Sequence, residues 1–142
     1  MAREKAHYIE VEEFPQMVRK LIDLNPEKFG HIDPLVLRMV AITNKEPSYV
    51  WKVQPVKNPV AIFCKDVRFI VKVFQSIWET YSEDQKGLVI LDMLLSLEPD
   101  EEEPKIIPFN LSDHADMIKT FGVNYLDNPE IRNLFGKSVE WI

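Results

Sequence analysis

The sequence predicts an α+β fold: a small mixed or antiparallel sheet of about three strands, packed on a central buried helix over residues 82–97, with flanking helices. Three observations lead there. Arg68-Phe69-Ile70-Val71-Lys72-Val73-Phe74 is dense in β-branched and aromatic residues, the composition of a strand. Ser82 followed three residues later by Gln85 forms a capping box, and Glu83 and Asp84 suit the positive end of a helix dipole. Beyond that cap, Leu88, Ile90, Leu91, Met93, Leu94, Leu95 and Leu97 surround the helix almost completely, which implies burial on most sides.

The remaining elements come in chain order. A first helix opens near Glu13, with Pro15 in its first turn, where a missing N–H costs least. Phe14, Met17, Val18, Leu21 and Ile22 form its apolar face, and Asn25-Pro26 and Phe29-Gly30 end it. Asp33-Pro34 reads as an N-cap with proline at N1 of a second helix, with Leu35, Val36, Met39, Val40 and Ile42 on one face. Two more strands are expected at Tyr49–Val53 and Pro59–Cys64, with Pro55 and Pro59 in or beside their connection. Pro99 closes the central helix, and residues 98–108 form an acidic mobile loop. Asn110 caps a fourth helix that stops at Gly122. Asn128-Pro129 starts a short last helix anchored by Ile131, Leu134 and Phe135 and stopped by Gly136, before a tail over 137–142.

Composition bounds the function. At 142 residues, 46% hydrophobic and 28% charged, the chain has the make-up of a single globular domain. A domain of this size buries roughly two-thirds of its unfolded surface, enough for a core. The net charge of -6 disfavours direct binding to a phosphate backbone, which relies on Lys and Arg, and suits a partner with a basic surface. With one cysteine, Cys64, neither an internal disulfide nor a cysteine-based zinc knuckle can form. The start has no signal-peptide core, and no apolar run reaches the ~20 residues of a membrane span. The expected location is the cytoplasm.

Several segments together carry a family resemblance. Leu24-Asn25-Pro26-Glu27 precedes the second helix. The strand Phe69–Val73 leads into Trp78 and the polar turn Ser82-Glu83-Asp84-Gln85. Val89-Ile90-Leu91-Asp92 then continues the helix, and Phe109–Gly122 reads as a later helix ending in an aromatic-glycine pair. This order, over roughly residues 14–125, resembles the phage metallopeptidases, small minimal zincins. The resemblance implies a zincin-like fold, the cytoplasm of an infected host cell, and an H-E-x-x-H motif after Leu91-Asp92.

The departures fall on the chemistry. Zincin catalysis needs an imidazole pair one helical turn apart, a third ligand and a carboxylate for the attacking water. The corresponding positions hold Met93, Leu94 and Leu97, with Phe109 at the third-ligand position. Met and Leu there would fill the former site with apolar volume. The expectation is a pseudoenzyme with no catalytic residue, no metal ligand and no cofactor.

Other candidates have plain readings beside sharp ones. His7, His31 and His114 could assemble a metal site from distant segments, but none has a second histidine at i+3 or i+4, and surface positions explain all three. Cys64 beside Lys65 could be an activated thiol, or a half-buried strand cysteine. Asp92, alone on an apolar helix, must find a partner such as Arg68, Lys72 or a backbone N–H. Asp100, Glu101, Glu102 and Glu103 form either a solvated loop or a docking patch for a basic surface, and Trp141-Ile142 is folded back or offered as an anchor.

The resulting expectation is a non-catalytic, phage-type protein that binds and modulates a host or phage protein, without nucleic-acid or membrane contact. The alternatives are a metal-dependent hydrolase with a rearranged site, and a phage structural or accessory component.

Overall fold

The computed structural model describes residues 4–57, 59–63, 66–98, 105–106 and 111–141. The chain folds as an α+β structure whose main sheet has four strands, β1 (Tyr8–Glu10), β2 (Leu37–Ile42), β3 (Lys52–Pro55) and β4 (Phe69–Phe74), in the order β1-β2-β4-β3. β2 and β4 run parallel at the centre, and each edge strand is antiparallel to its neighbour. The helices are α1 (Phe14–Leu24), α2 (Pro26–Phe29), α3 (Gln75–Trp78), α4 (Glu83–Leu95) and α5 (Leu111–Phe121). A second sheet pairs two short strands, β5 (Leu97–Glu98) and β6 (Lys105–Ile106). This arrangement is that of a small zincin-like α+β fold.

The core forms where the two central strands present matched faces to the helices. Leu37, Met39 and Ala41 of β2 stand opposite Phe69, Val71 and Val73 of β4, and all six are buried. Side chains alternate across a strand, so these residues share one face. α1 adds Phe14, Val18, Leu21 and Ile22, as its spacing predicts. α4 adds Leu88, Val89, Ile90, Leu91, Met93 and Leu94, joining the same cluster.

α4 forms where expected, and its neighbours are built around it. The Ser82 side chain accepts from the Gln85 backbone N–H at 3.1 Å, and the Gln85 side chain accepts from the Ser82 N–H at 2.9 Å. The Gln85 amide then donates to Leu126 O at 3.0 Å, while Asp84 accepts from the Leu134 N–H at 3.0 Å. The first turn of the helix thus holds two segments from the end of the chain. Gly87 makes the second contact possible: a Cβ there would come within 2.9 Å of the Phe135 ring and 3.2 Å of a Leu134 methyl. Glycine inside a helix ordinarily costs roughly 1 kcal/mol against alanine, and here close packing explains it.

Several expectations need correction. Asp33 caps as predicted, accepting from the Leu35 N–H at 3.0 Å, but it opens only a single 3₁₀ turn, Pro34–Val36, which runs straight into β2. The apolar spacing fits either period; six-residue pairing with β4 selects the strand. The sheet therefore gains one strand beyond those expected, and another in the unforeseen β1. The strand expected at Tyr49–Val53 lies at Lys52–Pro55, with Pro55 on an edge strand, where a missing donor is tolerated. Of the strand expected at Pro59–Cys64, residues 59–63 form a turn around the 3₁₀ segment Val60–Ile62, leaving Ile62 and Phe63 exposed. β4 already has a partner on each side, so no central place remains for that segment. Gly122 takes the positive φ of +91° expected of a residue that ends a helix. No helix forms over 128–136; turns carry that stretch, yet Leu134 and Phe135 are buried as anchors.

Leu91 and Leu94 are buried, whereas Leu95 is only partly covered. Leu91→Ala and Leu94→Ala should each destabilise the protein by about 2–5 kcal/mol, and Leu95→Ala by less, measured by urea unfolding. Equal and negligible losses for all three would show that α4 does not centre the core.

A second test uses pH. Lys86 donates to the Glu13 carboxylate at 2.8 Å and the Trp78 indole donates at 3.0 Å. The Lys86 hydrogen bond is the main reason that the Glu13 carboxyl sits below its ordinary value of 4.5; partial burial opposes it, and the indole bond assists. A carboxyl with a depressed folded-state pKa stabilises the fold above its unfolded-state value and loses that contribution as pH falls through the folded one. Wild type should therefore lose more stability than Glu13→Gln as pH drops below 4.5, read from denaturant midpoints. Parallel pH profiles would refute this coupling.

Candidate functional site

The C-terminal half of α4 is where a helix-borne metal motif would stand. Met93 is 0% exposed, Leu94 2% and Leu97 4%, and all three belong to the hydrophobic core. None lines a described pocket. The helix also stops too early for these positions to act as one set. It ends at Leu95, with Ser96 as C-cap, and Leu97 already belongs to β5. The Ser96 hydroxyl donates to Asp92 O at 3.1 Å, closing the last turn.

A zinc ion does not fit these residues. A structural or catalytic zinc takes imidazole, thiolate or carboxylate donors, typically four in all or three plus water. Leu94 and Leu97 offer no donor atom, and a buried Met93 thioether is a soft, weak one. Among the described residues, no three His, Cys, Asp or Glu side chains come together in reach of one ion. His7 and His31 are exposed, at the start of the chain and after α2 respectively. Phe109, Cys64 and the side chain of His114 lie outside the described residues, as do Asp100, Glu101, Glu102, Glu103 and Ile142.

Immediately before Met93, α4 presents a different chemistry. Asp92 is 5% exposed. The Tyr125 hydroxyl donates to its Oδ2 at 3.3 Å. Tyr125 sits in a 3₁₀ turn, Tyr125–Asp127, that packs on α4 just beyond the end of α5. Burial, reinforced by the Asp92 charge and their hydrogen bond, pushes the Tyr125 phenol far above its ordinary range. It therefore remains a protonated donor at neutral pH. Lys72, one of the partners expected for Asp92, is on the outer face of β4 with its ammonium 5.7 Å from the centre of the Tyr8 ring.

Around this pair lies a pocket of about 300 Å³ lined by Val50, Trp51, Val89, Asp92, Tyr125 and Leu126. It joins α4 to the segment that enters β3 and to the Tyr125–Asp127 turn. Asp92 stood out in the sequence as a lone carboxylate on an apolar helix. Tyr125 did not, because its partner is 33 residues away. Its available signal was a phenol just past a helix-ending glycine, an amphipathic ring near a group that needs a donor.

Of the two readings of Trp141, folded back or offered to a partner, the structure has the ring folded back onto α2 and α5. Its ring meets Phe29 edge-on at 5.8 Å and Phe121 at 5.9 Å. The Lys28 ammonium lies 5.1 Å from its centre and pairs with Asp116 at 2.5 Å. Two residues earlier, the Val139 N–H donates to the buried Asn25 side chain at 2.7 Å. Aromatic edge-to-face contacts and a cation over the ring explain this docking.

No helix among the described residues is long and apolar enough to cross a membrane. Comparison with curated proteins and with solved structures found no match. A model of the family described as "Putative phage metallopeptidase" matches residues 6–138. With the match spanning almost the whole of this α+β chain, the protein belongs to that putative phage metallopeptidase family.

Proposed function

We propose that this protein works by binding another protein and not by zinc-dependent hydrolysis. One observation carries the reading: Met93, Leu94 and Leu97, where the sequence resemblance would put the family motif, are buried members of the hydrophobic core. A hydrolytic zinc needs donors that converge on an open coordination position. Side chains sealed among Val71, Leu91 and Met117 contribute packing instead.

The partner in this reading presents a basic surface, in a host or phage protein. The chain carries 23 acidic against 17 basic residues, and Asp100-Glu101-Glu102-Glu103 concentrates four of the acids. Such a charge distribution steers association with a basic partner and repels a phosphate backbone. Trp141, held by Phe29 and Phe121 yet only half-buried, is the proposed anchor together with Ile142.

The test is chemical. Protein purified without chelator, and then supplied with zinc, should hold well under one zinc per chain by elemental analysis. It should show no chelator-sensitive cleavage of unfolded protein substrates. One tightly held zinc, lost together with a peptidase activity on chelation, would overturn the proposal and establish a hydrolase with a rearranged site.

A further inference from the structure

We propose that the outer face of the four-stranded sheet docks an acidic segment of another protein, laid across β3 and β4. The helices pack on the opposite face, which carries Leu37, Met39, Phe69 and Val71. Side chains alternate along a strand, so Arg38, Val40, Ile70 and Lys72 point outward, and the cross-strand register puts Tyr8 and Lys52 on that same side. All six are exposed or half-buried. This goes beyond the basic partner of the acidic run, since it concerns a different face with the opposite charge.

Charge identifies the partner. In a chain of net charge -6, the strand residues of this face offer Arg38, Lys52 and Lys72 against Glu10 alone. Arg38 is matched by Glu10. Lys52 and Lys72 stand directly opposite each other across β3 and β4, and neither forms an ion pair among the described residues. Like charges so placed repel. Each ammonium lies over a ring instead: Lys52 is 4.7 Å from the centre of Tyr49, and Lys72 is 5.7 Å from that of Tyr8. Burial, and after it the nearby Tyr8, pushes the Tyr49 phenol up, so the two rings and two ammonium groups form one cluster. A cation over a ring keeps its charge. Carboxylates set over the lysine pair would offset its repulsion and complete its pairing.

Shape narrows the class further. None of Tyr8, Tyr49, Lys52 and Lys72 lines a described pocket, so the ligand lies on a surface and is not an enclosed small molecule. An extended peptide carries alternate side chains on one side about 7 Å apart, within reach of two flexible lysines. Its other residues can rest on Val40 and Ile70, the apolar strip between the cations. A single-stranded nucleic acid fits less well. It needs open ring faces for stacking and several cations for its phosphates, whereas here the lysines sit over the rings.

The experiment is an NMR titration of the full chain with a blocked hexapeptide of alternating valine and glutamate, against its glutamine counterpart and a short oligothymidylate. Saturable shifts at Tyr8, Lys52, Ile70 and Lys72 with the glutamate peptide, weakening as salt is raised, are the expected result. Replacing both lysines, Lys52→Gln with Lys72→Gln, should weaken that binding about tenfold, the scale of two exposed ion pairs. Lys119→Gln, at an exposed position of α5, should leave it unchanged. Should the double variant fail to fold, the discrimination among the three probes in wild type still decides. No saturable shift with the glutamate peptide, equal binding of the glutamine one, or tighter binding of the oligonucleotide would overturn the proposal. So would sedimentation showing a wild-type dimer that the double variant dissolves, which would assign the face to a second copy of the chain.

Discussion

A helix apolar on nearly every side has to be enclosed, and α4 from Gly87 to Leu94 is buried without interruption. Sheet, helices and chain end are arranged to supply that enclosure. The inward face of β2 and β4 meets it through Met39, Val71 and their neighbours, α1 covers it with Val18 and Leu21, and Met117 of α5 closes another side. Leu134 and Phe135 reach the remaining flank only because residue 87 has no side chain. The polar groups of the first turn then serve twice. Ser82 and Gln85 satisfy the helix end, and Asp84 and Gln85 hold the backbone of Leu134 and Leu126. Hydrophobic burial is non-directional, so these few hydrogen bonds are what set the register of the covering segments.

The same enclosure determines what the helix can do. A catalytic metal site requires donors facing a cavity open to water, whereas a core requires the absence of both. Over Met93, Leu94 and Leu97 the chain has apolar packing, on a fold whose family is described by a metallopeptidase activity. Asp92 is the exception on this helix. Held by Tyr125 beside a small pocket, it is a polar side chain kept within the enclosure by hydrogen bonding.

At Trp141 the sequence leaves two readings open, a ring folded back and a ring offered as an anchor. In the fold it bridges Phe29 and Phe121 beneath the Lys28 ammonium, and Asn25 holds Val139 just before it. Asn25 is itself fixed by donating to Leu21 O at 2.8 Å, so the cap of α1 and the docking of the tail are one structure.

By itself the sequence determined the elements that rest on local chemistry. The capping box at Ser82, the face of α1, the β-rich run of β4 and the turn at Gly122 were all legible, because caps, periodicity and positive φ are properties of neighbouring residues. That Met93, Leu94 and Leu97 carry no imidazole or carboxylate was legible for the same reason: it depends only on which residues are present. Tertiary structure alone decided whether Leu37–Ile42 became a strand, since its apolar spacing suits both periods and pairing with β4 selects one. It alone turned residues 59–63 into an exposed turn, because both sides of β4 were taken. It alone joined Tyr125 to Asp92, across 33 residues, and folded Trp141 onto Phe29, across more than a hundred. Partners that far apart leave no local pattern; only the packing of the whole chain brings them together.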